Sequence, residues 1–168
     1  TAIPSLIDVI FLVAFIDDAD CVVKRSLKQN PATYGPITAA GYLINQGADE
    51  LMQACAASLA AGNNLIVFPE GTRTVPGKPL SLQRGAANIA LRAGVDITPV
   101  LISCEPTTLT KAEQWYQIPP RRFTMTLKLL DDIDVASVVG NAPNLTLASR
   151  QLTDFLTDFF DRSLTGHD

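Results

Sequence analysis

From Pro4 to Ile16 the chain is almost continuously apolar, broken only by Ser5 and Asp8. Proline and serine at the head of such a run open a helix, and the lack of a polar face predicts one covered on most sides. The run is short of the roughly 20 residues needed to span a bilayer, so a buried helix is the expected element. Asp20 to Val23 reads as a strand, and Lys24 to Gln29 as a turn of helix stopped by Asn30-Pro31. Gly35-Pro36 marks a turn and Gly41 to Ile44 a second strand. Asp49 is placed to cap a helix whose Leu51, Ala54, Cys55, Ser58 and Leu59 share one face, with Gly62 ending it. Asn64 to Phe68 predicts a buried strand, and Pro69 to Pro79 a loop.

The second half continues the alternation. Gly85 to Ala93 predicts a helix stopped by Gly94. Asp96 to Ser103 reads as a strand in which Pro99, having no N–H, demands an edge or a bulge. Residues 105–122 look irregular, with prolines and Trp115; loops of this length carry function or cover something. Thr124 to Leu129 alternates like a strand. A last helix over Leu147 to Leu164 sets Leu152, Phe155, Leu156 and Phe159 on one face. Strands alternating with helices imply an α/β fold: one domain over residues 1–168, with a mixed, mostly parallel sheet flanked by helices on both faces.

Composition narrows this picture. A chain of 168 residues suits one hydrophobic core, and 47% hydrophobic residues with 18% charged excludes a disordered chain. The net charge of −4 argues against nucleic acid as a partner. Cys21, Cys55 and Cys104 are scattered and odd in number, as expected of buried apolar residues in a reducing compartment rather than disulfide or metal ligands. Asp131, Asp132 and Asp134 have no spaced partner and read as a solvated turn, so no metal site is expected. Lys24, Arg25 and Lys28 suit an acidic carrier protein, a coenzyme phosphate or anionic headgroups, or simply a solvated helix face. Trp115 and Tyr116 beside Pro119-Pro120-Arg121-Arg122 suit a membrane-contact loop or a packed surface loop.

The chemistry concentrates in Val67-Phe68-Pro69-Glu70-Gly71-Thr72-Arg73, where an apolar strand ends in a turn. Gly71 has no Cβ and lets the backbone approach an anion, Thr72 adds a hydroxyl donor, and Arg73 brings a planar fork suited to phosphate. Glu70 is able to accept from a substrate hydroxyl or to hold Arg73. A surface turn with a local ion pair is the plainer alternative. A nucleotide P-loop over Gly71 to Lys78 is excluded, because its first glycine would fall at Thr72 and Lys78 precedes Pro79.

Phe68-Pro69-Glu70-Gly71-Thr72-Arg73 resembles the signature of the lysophospholipid and glycerol-phosphate acyltransferase family, the 1-acylglycerol-3-phosphate acyltransferase type. Pro4-Ser5-Leu6-Ile7-Asp8 is similar to the end of the family's His-x-x-x-x-Asp motif. Lys24, Leu27 and Pro31, the strand Gly41-Tyr42-Leu43-Ile44, the pair Arg84-Gly85 and the strand Ile97-Thr98-Pro99-Val100 resemble further family segments in the same order. The resemblance implies a histidine that deprotonates the acceptor hydroxyl, an aspartate (Asp8 here) that orients it, and attack on a thioester. It assigns Glu70 with Asp8 to catalysis, and Lys24, Gly71, Thr72, Arg73 and Arg84 to the substrate. No cofactor is implied beyond acyl-CoA or acyl-carrier protein as co-substrate. The partners implied are a lysophospholipid or similar phosphate-bearing acceptor and a membrane surface. The place implied is the cytoplasmic face of a bacterial inner membrane, peripheral or anchored by a missing N-terminal segment.

The chain departs from this pattern twice. The fifth residue ahead of Asp8 is Ile3, and the only histidine is His167. An isoleucine takes no proton, so the chain as written is expected to be inactive; a non-catalytic lipid- or anion-binding relative on the same fold is the alternative. Asn45-Gln46 stand where the family often has an arginine, which removes one expected phosphate ligand and points to a less characterised bacterial branch.

Overall fold

A computed structural model describes residues 6–24, 42–45, 47–70, 80–105 and 121–165, in two compact units that meet in sequence between Phe68 and Pro69. The first holds α1 (Leu6–Phe15), β1 (Ala19–Lys24), β2 (Leu43–Asn45), α2 (Ala48–Ala60) and β3 (Asn64–Ile66). Its strands form a parallel sheet in the order β2-β1-β3. Val22 pairs with Leu43 and Lys24 with Asn45 on one side of β1; Ala19 pairs with Asn64 and Cys21 with Ile66 on the other.

Alternation along β1 explains how both faces are used. Cys21 and Val23 point one way into a buried cluster with Val9 of α1, against which Val13, Tyr42, Ile66 and Phe68 also pack. Asp20 points the other way, where its Oδ2 accepts from Ser58 Oγ at 2.5 Å and from Asn63 Nδ2 at 3.1 Å, tying β1 to α2 and to the turn after it. The expected helices on both faces are therefore present in this sheet. Asp18 takes a left-handed conformation, φ +49°, in the turn between α1 and β1, and its carbonyl accepts from Asn64 N–H at 2.8 Å, which starts β3 in register.

The second unit holds α3 (Gly85–Ala93), β4 (Val100–Glu105), β5 (Thr124–Leu129), α4 (Val135–Val139) and α5 (Leu145–Thr165). Strands β4 and β5 pair antiparallel from Val100↔Leu129 to Glu105↔Thr124. Ahead of them Ile97 and Ile133 form an isolated bridge. Pro99, fully buried, interrupts the ladder between bridge and strand, and its carbonyl accepts from Leu130 N–H at 3.0 Å. The core joins Ala87 and Ala90 of α3, Ile133, Val135 of α4, and Leu152 and Leu156 of α5. Gly94 ends α3 at φ +65°, the left-handed stop expected of it.

Several expectations are corrected. Among the described side chains of α1, Val9 and Leu12 are buried, but Phe15 is 74% exposed, and Phe11 and Ala14 are exposed beside it. Gly47, not Asp49, is the N-cap of α2; Asp49 and Glu50 lie in its first turn, where carboxylates favour the helix dipole. Strand β3 is shorter than expected and half-buried, with Asn64 exposed. Phe155 is 39% exposed, because the buried stripe of α5 runs through Leu152 and Leu156 without it. Helix α4 is an unexpected element inside the stretch read as a solvated turn. Asp134 caps it by accepting from Ser137 N–H at 3.1 Å and Ser137 Oγ at 2.5 Å, and those bonds hold its carboxyl below the usual range. Asp132 accepts from Thr98 Oγ1. The proposed helical turn at Lys24 to Gln29 lies largely outside the described residues, as does the irregular stretch around Trp115.

Cys21 and Cys55 are buried, as expected, and neither is in a disulfide. Burial, and after it the Asp20 carboxylate, pushes the Cys21 thiol up to about 12 and raises Cys55 for the same reasons. The Cys21 thiol therefore stays protonated in the fold well above the pH near 8.5 at which an unfolded chain ionises it. The folded state then holds more protons above that pH, so stability falls as pH rises toward the Cys21 value. Iodoacetamide at pH 8 is expected to leave Cys21 and Cys55 unmodified in native protein and to label both in denaturant; native labelling of Cys21 would contradict its burial.

Candidate functional site

In a parallel sheet all carboxyl ends lie along one edge, the customary ligand edge of α/β folds. Here that edge carries Lys24 at the end of β1, its partner Asn45 at the end of β2, and the exit of β3 toward Phe68. Asp8 lies in the first turn of α1, next to Val9 in the cluster shared with Val23, the residue before Lys24. The backbones of Asp8 and Lys24 thus flank one buried cluster; their side chains lie outside the described atoms.

After Phe68 the chain turns at Pro69-Glu70, and both residues are half-buried. Glu70 is engaged in an interaction of its own. Pro69 O accepts from Gln83 N–H at 2.7 Å, which brings the backbones on either side, Glu70 and Arg84, to one place. Arg84 stands at the N-cap of α3 with helical backbone angles and is exposed; its carbonyl accepts from Asn88 N–H at 2.9 Å. The first turn of α3 carries no acidic side chain, and the positive end of a helix dipole favours an anion. Gly71, Thr72, Arg73, Ile3 and His167 lie outside the described residues.

The structure groups the expected site residues into two sets: Asp8 with Lys24 in the first unit, Glu70 with Arg84 in the second. What the sequence reading missed is the closure between Pro69 and Gln83. Backbone bonds leave no side-chain signature, and the one available signal was apolar Leu82 just ahead of α3. Among the described residues no three His, Cys, Asp or Glu side chains stand together in a way that could hold a metal ion, and no helix is long and apolar enough to cross a membrane.

The Acyltransferase family model matches residues 4–103, more than half of the chain. The chain is 31% identical over 105 residues to the 1-acyl-sn-glycerol-3-phosphate acyltransferase of Helicobacter pylori, a match covering 58% of this chain and 44% of that protein. It is 40% identical over 55 residues to the mouse 1-acyl-sn-glycerol-3-phosphate acyltransferase alpha, 33% of this chain and 19% of the mouse protein. The crystal structure of the 1-acyl-sn-glycerophosphate acyltransferase PlsC from Thermotoga maritima superposes with a TM-score of 0.54 at 23% identity, over 94% of this chain and 63% of that one. That likeness establishes the α/β fold. The match spans less than half the length of the Helicobacter relative. With the signature at the exit of a parallel strand and more than half its length matched to the family, the chain belongs to the acyltransferase family.

Proposed function

We propose that this chain is the transfer domain of an enzyme that moves an acyl group from a thioester, acyl-CoA or acyl-carrier protein, to the hydroxyl of a lysophospholipid or glycerol-phosphate-like acceptor. The observation that carries the reading is the Phe68-to-Arg73 signature, which follows directly on a parallel strand of a chain matched to the family over residues 4–103. In such a reaction a base removes the acceptor's O–H proton, the oxygen attacks the thioester carbonyl carbon, and the C–S bond breaks with the thiolate taking up a proton; with Ile3 at the place of the base, the chain as written is expected to be inactive. Asp8 orients the base and stabilises its cation; Glu70 holds the acceptor hydroxyl or Arg73. Gly71, Thr72, Arg73 and Arg84 bind the acceptor phosphate, and Lys24 meets a phosphate at the ends of β1 and β2. The enzyme works at the cytoplasmic face of a bacterial membrane.

Ile3 favours a second reading, a relative that binds the lipid without turning it over, because no side chain at that position takes a proton. Both readings require the phosphate site. Arg73→Ala is expected to weaken binding of lysophosphatidate about tenfold or more, the loss of charge-assisted hydrogen bonds to phosphate. Arg150→Ala removes only an exposed pair with Asp154 at 3.8 Å and is expected to leave binding unchanged. Isothermal titration of both variants decides; equal effects refute the phosphate site.

A further inference from the structure

Helix α1 presents two phenyl rings to water. Phe15 is 74% exposed and Phe11 36%, Ala14 is exposed beside them, and the rings stack with centroids 6.5 Å apart. Their spacing places these three residues on one side of the helix, away from the side on which Val9 packs with Cys21 and Val23. Size and charge decide what fits this patch. A whole phenylalanine contributes about 150–250 Å², so two partly exposed rings offer far less than the roughly 800 Å² per partner of a stable protein interface. A lipid surface asks for less, only aromatic rings able to enter it. The charged neighbours are Asp17 and Asp18, both exposed, and the last turn of α1 has no basic side chain. Asn64 holds that turn, its N–H donating to Asp18 O at 2.8 Å and its Nδ2 to Asp17 O at 2.9 Å. Carboxylates fixed beside Phe15 repel anionic headgroups and an acidic carrier protein, and leave zwitterionic headgroups as the fitting surface.

We infer that the Phe11–Phe15 face of α1 rests on a zwitterionic bilayer, with both rings in the interface and Asp17 and Asp18 in water. At 10 residues α1 is about 15 Å long, so it lies on the surface rather than spanning it. Position 8, in its first turn, is about 10 Å along the axis from Phe15, which keeps the proposed reaction close to the lipid it uses. The inference rests on the proposed function for its choice of a lipid partner, and names the surface that meets it.

Flotation with phosphatidylcholine vesicles free of any acceptor is the test. The parent chain is expected to float with them. Phe15→Ser, at an exposed position, is expected to weaken that partition about tenfold, as withdrawing one large ring from lipid implies. Phe15→Trp is expected to retain it. Leu129→Ser, which removes a side chain 68% exposed in the second unit, serves as the control and is expected to leave it unchanged. Adding phosphatidylglycerol to the vesicles is expected to weaken binding, and Asp17→Asn with Asp18→Asn to relieve that weakening. A parent that does not float, a Leu129→Ser loss equal to that of Phe15→Ser, or binding strengthened by phosphatidylglycerol overturns the inference. Self-association in sedimentation that Phe15→Ser abolishes also overturns it and assigns the face to a second copy. Flotation that depends on Phe15 in a chain that binds no lysophosphatidate supports the lipid face and refutes the phosphate site instead.

Discussion

Replacing Ile3 with histidine is expected to raise thioester-dependent acylation of a lysophospholipid by roughly 10²-fold or more, the range contributed by a positioned general base. An acceptor hydroxyl is a weak nucleophile until its proton is drawn away, and isoleucine offers no lone pair to draw it. On the proposed mechanism the imidazole meets the carboxylate five positions later, at Asp8. Five helical residues turn roughly 140° past a full turn, so the two side chains do not share a face of a regular helix. Helix α1 runs from Leu6 and contains Asp8 in its first turn, and Pro4 lies between the two positions. The gain should vanish again in the double variant Ile3→His with Asp8→Asn, since an amide neither fixes the productive tautomer nor stabilises the imidazolium. Release of free thiol from the donor, followed with a chromogenic disulfide, measures both. If the histidine variant folds, binds lysophosphatidate and still releases no thiol above the parent, the non-catalytic reading replaces the enzymatic one.

Truncating Leu152 is expected to be the most damaging single change in the second unit. Its side chain is 0% exposed and sits among Ala87 and Ala90 of α3, Ile133 and Val135, so Leu152→Ala leaves a cavity that small alanines on the facing helix cannot fill. Buried Leu→Ala changes cost about 2–5 kcal/mol, which moves a urea midpoint by about 1 M or more at the slope of a small domain. Phe155→Ala on the same helix is the comparison: its ring is 39% exposed and stacks on Phe159 at 6.2 Å, so the cost should stay near or below about 1 kcal/mol. A Phe155 variant that loses as much as the Leu152 variant would show that α5 buries a different stripe.

These two residues also show where periodicity stops being informative. Leu152, Phe155, Leu156 and Phe159 fit one helical face equally well by spacing, yet α3 and α4 cover only part of it. How wide a stripe is buried depends on what packs against it, which local spacing does not contain. The same holds for α1, apolar on all sides in sequence but exposed at Phe11 and Phe15. Asp134 illustrates a different gap. Its cap on Ser137 was written in the chain as an acidic residue three positions before a serine, but Asp131 and Asp132 beside it made the stretch look merely solvated.

Local chemistry was enough to determine the order of the described helices and strands apart from α4, the glycine stop after α3, the α/β class and the signature at Phe68 to Arg73. Each depends on backbone restrictions or side-chain groups within a few residues of one another, and those are present in the chain before it folds. Tertiary structure alone decided that the parallel strands stand in the order β2-β1-β3, that Asp20 is held by Ser58 and Asn63, and that Gln83 returns to Pro69. Those outcomes join residues far apart in sequence through hydrogen bonds and shared burial, and such pairings exist only once the chain has packed.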